Sequence, residues 1–485
     1  MWDRLSSGQV VLANRKSALS VLHQSLMDAT ACYPCAFGAL TLTDDLPKFR
    51  RHYPQILSSF EALRLASPDR ADIARRLITQ FQAQVAWRVD SSEVTLSEAM
   101  MLTAPPLRLL SHSFPGESGW VPDLAYQGRQ WEASNLAELS ELLLARNVIT
   151  HAAMDSLKWL CNNGFDQQGR LNLGGRKIAV LGAGAEMAPT RLWLEAGAHV
   201  LWLDTRPPPK EWFDLPALAG RLSWSSTPVD LLTQPQAVLA TLIDFADGAP
   251  IDLGLYAYAP GQAREVRLTA SMNAVVEAMP SALLGSVTLL VSPTTPTALN
   301  ERDLAAMQGR LGSRAGWETW CDRLGLLGAN GGAVREAGLG VIRSVVSIQG
   351  GSYQLAQYLG KVLQAQQWAE QGQTAAEHPT PLRVSANTAA ITRTRSLDHP
   401  VFAAAFGGAA AMGVETLTPS QSRALNGLLT VHDWLHPRLP TPGLVRLHGG
   451  IHTLPYPLES ALRVAAAIGF ARRPRLLAGL LPHKS

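Results

Sequence analysis

Two glycines, Gly182 and Gly184, follow an apolar run, Ile178–Leu181. A second apolar run, Val200–Leu203, stops on Asp204, 22 residues beyond Gly182. Between them, Met187–Glu195 suits a helix. In a unit of strand, tight turn, helix, strand and acid, the turn lets backbone N–H groups approach a pyrophosphate at the helix N-terminus. The acid then accepts hydrogen bonds from a ribose. The turn is irregular, because Met187 stands at the third glycine position, after Ala185 and Glu186 and beside Ala188. Its context carries the reading, and an ordinary turn with no ligand is the alternative.

Asp204 favours a ribose with both hydroxyls free and repels a 2′-phosphate. Arg206, two residues on, offers that phosphate a planar fork. Other groups promise less. Cys32 and Cys35 form a CxxC without the further ligands a zinc site needs, and read as buried structural cysteines. His432, His436, His448 and His452 lack convergent metal-ligand spacing, so no metal is expected. Arg383, Arg393 and Arg395 could face a cofactor phosphate or an acidic substrate, or form a solvated basic face.

The elements that must position these groups alternate. Residues 1 to about 170 read as mainly helical, with Leu19, Leu22, Leu26 and Ile73, Leu77, Phe81 at helical spacing. A helix over Asn135–Cys161 leads to a hinge at Gly174-Gly175. After Asp204, Pro207-Pro208-Pro209 turns the chain out of the sheet. A third strand lies near Arg221–Ser225, and a fourth begins at Asp252 and ends in the turn Ala259-Pro260-Gly261. Next come a helix through Asn273 to Met279 and a fifth strand, Ser286–Ser292. A strong helix spans Tyr353–Gln371, a sixth strand begins at Leu382–Ser385, residues 400–437 are helical, and Leu444–Gly450 reads as a seventh strand. This alternation predicts an α/β fold with a doubly wound parallel (Rossmann) sheet. The chain divides into a mainly helical region 1–170, a nucleotide-binding domain 171–455 with a helical insertion at about 298–345, and a C-terminal helix and tail, 456–485. The first region and the insertion are candidate substrate lids.

Bulk properties agree. The chain has 485 residues, of which 47% are hydrophobic and 17% charged, with a net charge of +3 of interspersed sign. That supports large buried cores and gives no cause to expect nucleic acid as a partner. No apolar run reaches the roughly 18 residues of a membrane span. Four cysteines and the lack of a secretory leader suggest reducing cytoplasm.

In order, these elements resemble the short-chain dehydrogenase/reductase superfamily over residues 171 to about 455. Gly182 and Gly184, Asp204, Ala259-Pro260-Gly261, Asn273, Ser292, Tyr353 with Lys361, and Gly449-Gly450 carry the resemblance. It implies that the Tyr353 phenol is the general acid or base at a carbonyl, and that Ser292 polarises the same oxygen. Lys361 would bind the nicotinamide ribose and lower the phenol pKa, and Asn273 would hold a relay water. A phenol near pKa 10 needs such a cation to work near neutral pH. Thr294 and Thr295 compete with Ser292, and Tyr256 and Tyr258 read as core and lid packing. The family's usual spacing is i+4, where Gln357 stands here. Tyr353 to Lys361 is i+8, about 80° apart on an α-helix, and Tyr358 to Lys361 is i+3.

The resulting expectation is an NAD(P)(H)-dependent oxidoreductase acting by hydride transfer on a small organic substrate of carbonyl, alcohol or enoyl type. Asp204 tilts it toward NAD(H), and a homo-oligomer is left open. The alternatives are a non-catalytic dinucleotide- or partner-binding protein and an S-adenosylmethionine-dependent methyltransferase.

Overall fold

A computed structural model describes residues 8–259, 261, 263–374, 381–394, 400–443 and 445–476. Its centre is a seven-stranded sheet of β1 (Leu109–Ser113), β2 (Lys177–Leu181), β3 (His199–Leu203), β4 (Arg221–Ser225), β5 (Ile251–Leu255), β6 (Leu284–Val291) and β7 (Arg383–Thr388). The order across it is β7-β6-β5-β2-β3-β4-β1, and all pairs are parallel except β4 with β1. Leu181 is level with both Leu203 and Leu255, so the chain leaves these strands along one edge.

Both faces of the sheet are covered. Ala179 and Leu181 share a core with Leu201, Leu253 and Val287, whereas Ile178 and Val180 share another with Val200, Trp202 and Leu222. Successive side chains point to opposite faces, so a run buried on both sides must be apolar throughout. The helices that bear on the site are α1 (Leu46–Ala66), α2 (Thr190–Glu195), α3 (Pro235–Ala246), α4 (Arg264–Ala278), α5, α6 (Pro400–Ala409), α7 (Pro419–Leu435) and α8 (Leu458–Arg472). Helix α5 runs through Gly351–Gln354, Leu355–Leu363 and Gln364–Thr374 in succession.

The middle of α5, Leu355–Leu363, is wound as a π-helix with i→i+5 hydrogen bonds. It is gripped from two sides. Gly360 lets α4 come close, since a Cβ there would lie 2.7 Å from Thr269 Cγ2, and Asn273 Nδ2 donates to the Gly360 carbonyl at 2.8 Å. On α1, Glu61 accepts from the Tyr358 hydroxyl at 2.6 Å and from Arg64 at 2.7 Å through both oxygens. Glu61, Arg64 and Tyr358 are all buried.

Several expectations give way. Residues 1–170 are not set apart: they supply β1, a small sheet of Gln9–Leu12, Val85–Val89 and Ser92–Thr95, and helices in both cores. The helix expected over Asn135–Cys161 is two, Leu136–Ala145 and His151–Asn163, broken where Asn147 takes φ 59°. The insertion forms a three-stranded sheet as well as helices. The seventh strand of the sheet is β1, not 444–450. Leu444 is outside the described residues, and Val445–Gly450 meets only an isolated bridge, Leu447 to Ile149. Gly449 and Gly450, at φ 63° and 96°, turn this segment away from strand geometry. Cys32 and Cys35 are exposed free thiols rather than buried ones. No helix among the described residues is long and apolar enough to cross a membrane.

Removing one partner of a buried ion pair leaves the other uncompensated, at a cost of roughly 3–5 kcal/mol. Arg64→Met should therefore lower the unfolding free energy by about that amount in a denaturant titration. Arg64→Met with Glu61→Gln should recover much of it.

Candidate functional site

A cleft of about 820 Å³ opens at the edge where β2, β5, β6 and β7 end. Gly184, Ala185, Glu186, Met187, Arg206, Gly261, Ser292, Tyr353 and Lys361 all line it. Gly182, Asp204, Ala259 and Asn273 do not, and Pro260 is outside the described residues.

The glycine turn owes its sequence first to packing. Gly182 has φ +81°, and a Cβ there would overlap the backbone of Ala257. A Cβ at Gly184 would stand 3.1 Å from the Trp202 ring and 3.3 Å from Asp204 Oδ2. The Asp204 carboxylate turns back on this corner, accepting from Gly184 N at 2.9 Å, Arg206 N at 3.0 Å and Thr205 Oγ1 at 3.3 Å. Helix α2 starts at Thr190 rather than Met187 and has only six residues. Pro189 explains the late start, because it disfavours helical backbone at Ala188.

The second cluster comes from β6, α4 and α5. Ser292 follows β6; its hydroxyl works to lower the Tyr353 phenol pKa and hydrogen-bonds Thr294 at 2.8 Å. Thr294 also lines the cleft and donates to Gln349 at 2.5 Å. Thr295 is buried outside it. Gln357 joins two elements, accepting from Ser292 N at 2.9 Å and donating to Glu265 Oε1 at 2.6 Å. Lys361 Nζ donates to the Leu290 carbonyl at 3.2 Å. Winding with i→i+5 bonds holds more residues per turn than the 3.6 of an α-helix. Eight residues then approach two whole turns, so the 80° offset expected between Tyr353 and Lys361 closes, and both reach the cleft with Gln357 between them. Tyr358 points the other way, to Glu61.

Asn273 is held at the α5 backbone instead, as described above. Both tyrosines after β5 line the cleft, Tyr256 from the core and Tyr258 at 44% exposure. Arg383 is drawn off to the end of α7, donating to the Asp433 and His436 carbonyls at 3.0 and 2.9 Å. Arg393 donates to Thr416 at 3.2 Å, and Arg395 is outside the described residues. Among the described residues no group of three or more His, Cys, Asp or Glu could hold a metal ion.

Burial sets the electrostatics. The Glu265 carboxyl is pushed up to about 7 by desolvation, opposed by Lys361 and by the Gln357 hydrogen bond. Desolvation lowers the Lys361 ammonium, opposed by Glu265. Desolvation and the nearby Glu265 charge hold the Tyr353 phenol well above its usual value, with Ser292 working against them. This reverses the lowering by lysine that the sequence led us to expect. The phenol is protonated at neutral pH, able to donate and unable to act as a phenolate base. Glu265 left no mark in the sequence, since an acid in a first helical turn reads as ordinary dipole complementation.

No protein-family model matches the chain, and no curated protein matches it.

A carboxyl whose pKa is higher folded than unfolded stabilises fully below the unfolded value and loses that contribution as pH rises through the folded one. For Glu265 the loss runs from about pH 4.5 to about pH 7. Glu265→Gln should flatten this part of the melting-temperature profile between pH 5 and 8. An unchanged profile would place the Glu265 carboxyl in water.

Proposed function

We propose that the chain is an NAD(P)(H)-dependent oxidoreductase that reduces a carbonyl or enoyl substrate by hydride transfer. The convergence of Tyr353, Ser292 and Lys361 in a cleft at the carboxyl ends of parallel strands carries this reading. Strand order supports it. Taken in chain order, the parallel strands run across the sheet as third, second, first, fourth, fifth and sixth, the succession of a doubly wound Rossmann sheet. Such sheets bind ligands where the winding reverses, here between β2 and β5. The turn at Gly184–Met187 and the segment Tyr256–Ala259 lie at that point.

In this reading the backbone of Gly184–Met187 holds the diphosphate and Lys361 faces the nicotinamide ribose. Asp204 already accepts two hydrogen bonds from its own turn and one from Gly184 N, whereas Arg206 lines the cleft, which favours NADP(H) over NAD(H). When bound, the dinucleotide supplies the hydride. Tyr353, protonated and beside Ser292 in the cleft lining, gives its proton to the substrate oxygen or carbon as negative charge develops there. The protonated phenol is the form that donation, and so reduction, requires.

Thermal-shift measurements with NADPH, NADH and S-adenosylmethionine test the cofactor. NADPH should raise the melting temperature most, and Arg206→Ala should erase its advantage over NADH. A shift with S-adenosylmethionine alone would point to a methyltransferase instead. In an assay of NADPH oxidation against aldehydes, ketones and enoyl thioesters, Tyr353→Phe should lose about 10²–10⁴-fold in turnover while keeping nucleotide affinity. Full turnover in that variant would remove the phenol from the chemistry.

A further inference from the structure

Beyond the Tyr353 cluster the cleft changes character. The residues that follow β7, Ala389 to Thr392, line the cleft together with α6 and α8, and the two helices meet through small residues. A Cβ added at Gly408 would overlap the Ala465 carbonyl, and one at Gly469 would overlap the Ala404 carbonyl. This close backbone approach leaves the larger side chains to flank the contact. On α6, Phe402, Ala405, Phe406 and Ala409 recur at helical spacing and line the cleft. On α8, Leu458, Ala461, Leu462 and Ala465 do the same. Two apolar stripes of period i, i+3, i+4, i+7 therefore face one space.

No charged residue of either helix lines this arm. Such a wall cannot repay the desolvation of a phosphate, a sugar or a peptide backbone. It repays only hydrocarbon. From Phe402 to Ala409 the stripe rises through seven residue steps, about 10 Å along the helix axis. Phe402 and Phe406 are half-buried as they stand, so each has apolar surface left to cover.

We propose that the apolar arm walled by α6 and α8 together binds the aliphatic tail of the substrate, whose reacting carbonyl lies at Ser292 and Tyr353. The substrate class is thus a medium- to long-chain aliphatic carbonyl or enoyl compound. The placement of the carbonyl rests on the oxidoreductase reading, and the apolar arm does not.

The test uses the full-length chain and equilibrium binding of linear methyl ketones of increasing length by calorimetry, first without nucleotide. Each methylene that enters the arm should tighten binding about fourfold, the equivalent of ~0.8 kcal/mol per buried CH₂, until the arm is full and the trend levels off. Ala405, buried in the arm, is replaced by tryptophan to fill it. Ala405→Trp should cut the ratio of long- to short-chain affinity at least tenfold. Should that variant fail to fold, Phe402→Ser, at a half-buried site, should cut the same ratio without overpacking. Affinity that does not grow with chain length, or a ratio unchanged in the folded variant, overturns the proposal. NADPH oxidation is then followed with the ketones that bind. Chain-length dependence without NADPH oxidation would keep the apolar arm and sink the oxidoreductase reading. Oxidation that ignores chain length would do the reverse.

Discussion

The winding of Leu355–Leu363 is the constraint on which the rest of the site depends. An α-helix over the same residues would turn Lys361 about 80° from Tyr353. The wider winding brings both, with Gln357, to one wall of the cleft. Wide turns are costly in isolation and survive where surroundings over-determine them, often at functional sites. Here the surroundings are specific. Gly360 admits Thr269 and Asn273 from one side, and the buried Glu61–Arg64 pair holds Tyr358 from the other. The N-terminal helix α1 is thereby joined to the cleft wall without lining the cleft itself.

The level strand ends supply the other half of the geometry. Because Leu181, Leu203 and Leu255 stand in register, the glycine corner and the segment after β5 emerge side by side. Glu265, Gln357 and the Ser292 amide then form one hydrogen-bonded chain across α4, α5 and β6. Such a chain in a low-dielectric wall fixes positions as much as it shifts protons. Burial pushes the Glu265 carboxyl up to about 7 and keeps the Tyr353 phenol protonated, so environment rather than residue type sets both.

Much of the fold was legible in the sequence because central parallel strands must be apolar on both faces. Arg221–Ser225 and the strands either side of the glycine turn, β2 and β3, emerge within a residue of their expected bounds. The edge strand Leu109–Ser113 was not legible, since half its side chains face solvent and its pairing with β4 is remote in sequence. The short α2 was foreseeable from Pro189, which the glycine pattern overshadowed. In the site, Tyr353, Lys361 and Ser292 could be named from element order. Their convergence could not, because a π-helix has no signature in hydrophobic period. Glu265 was hidden for a different reason: burial is a tertiary property, and it alone distinguishes this acid from a solvated one. Asn273 carried the right residue type in the right helix, yet its amide is spent on the Gly360 carbonyl.

The central claim is that the corner at Gly184 and the wall bearing Tyr353 and Lys361 together hold a reduced nicotinamide dinucleotide. Trp202 packs beside Gly184, close enough to report occupancy. Energy transfer from tryptophan to NADPH, followed as sensitised nicotinamide emission during titration of the full chain, tests this most directly. The account predicts a saturable signal that is lost in Lys361→Ala and displaced by NADP⁺. The absence of any saturable signal up to millimolar NADPH, in protein whose folding is verified by circular dichroism, would contradict it.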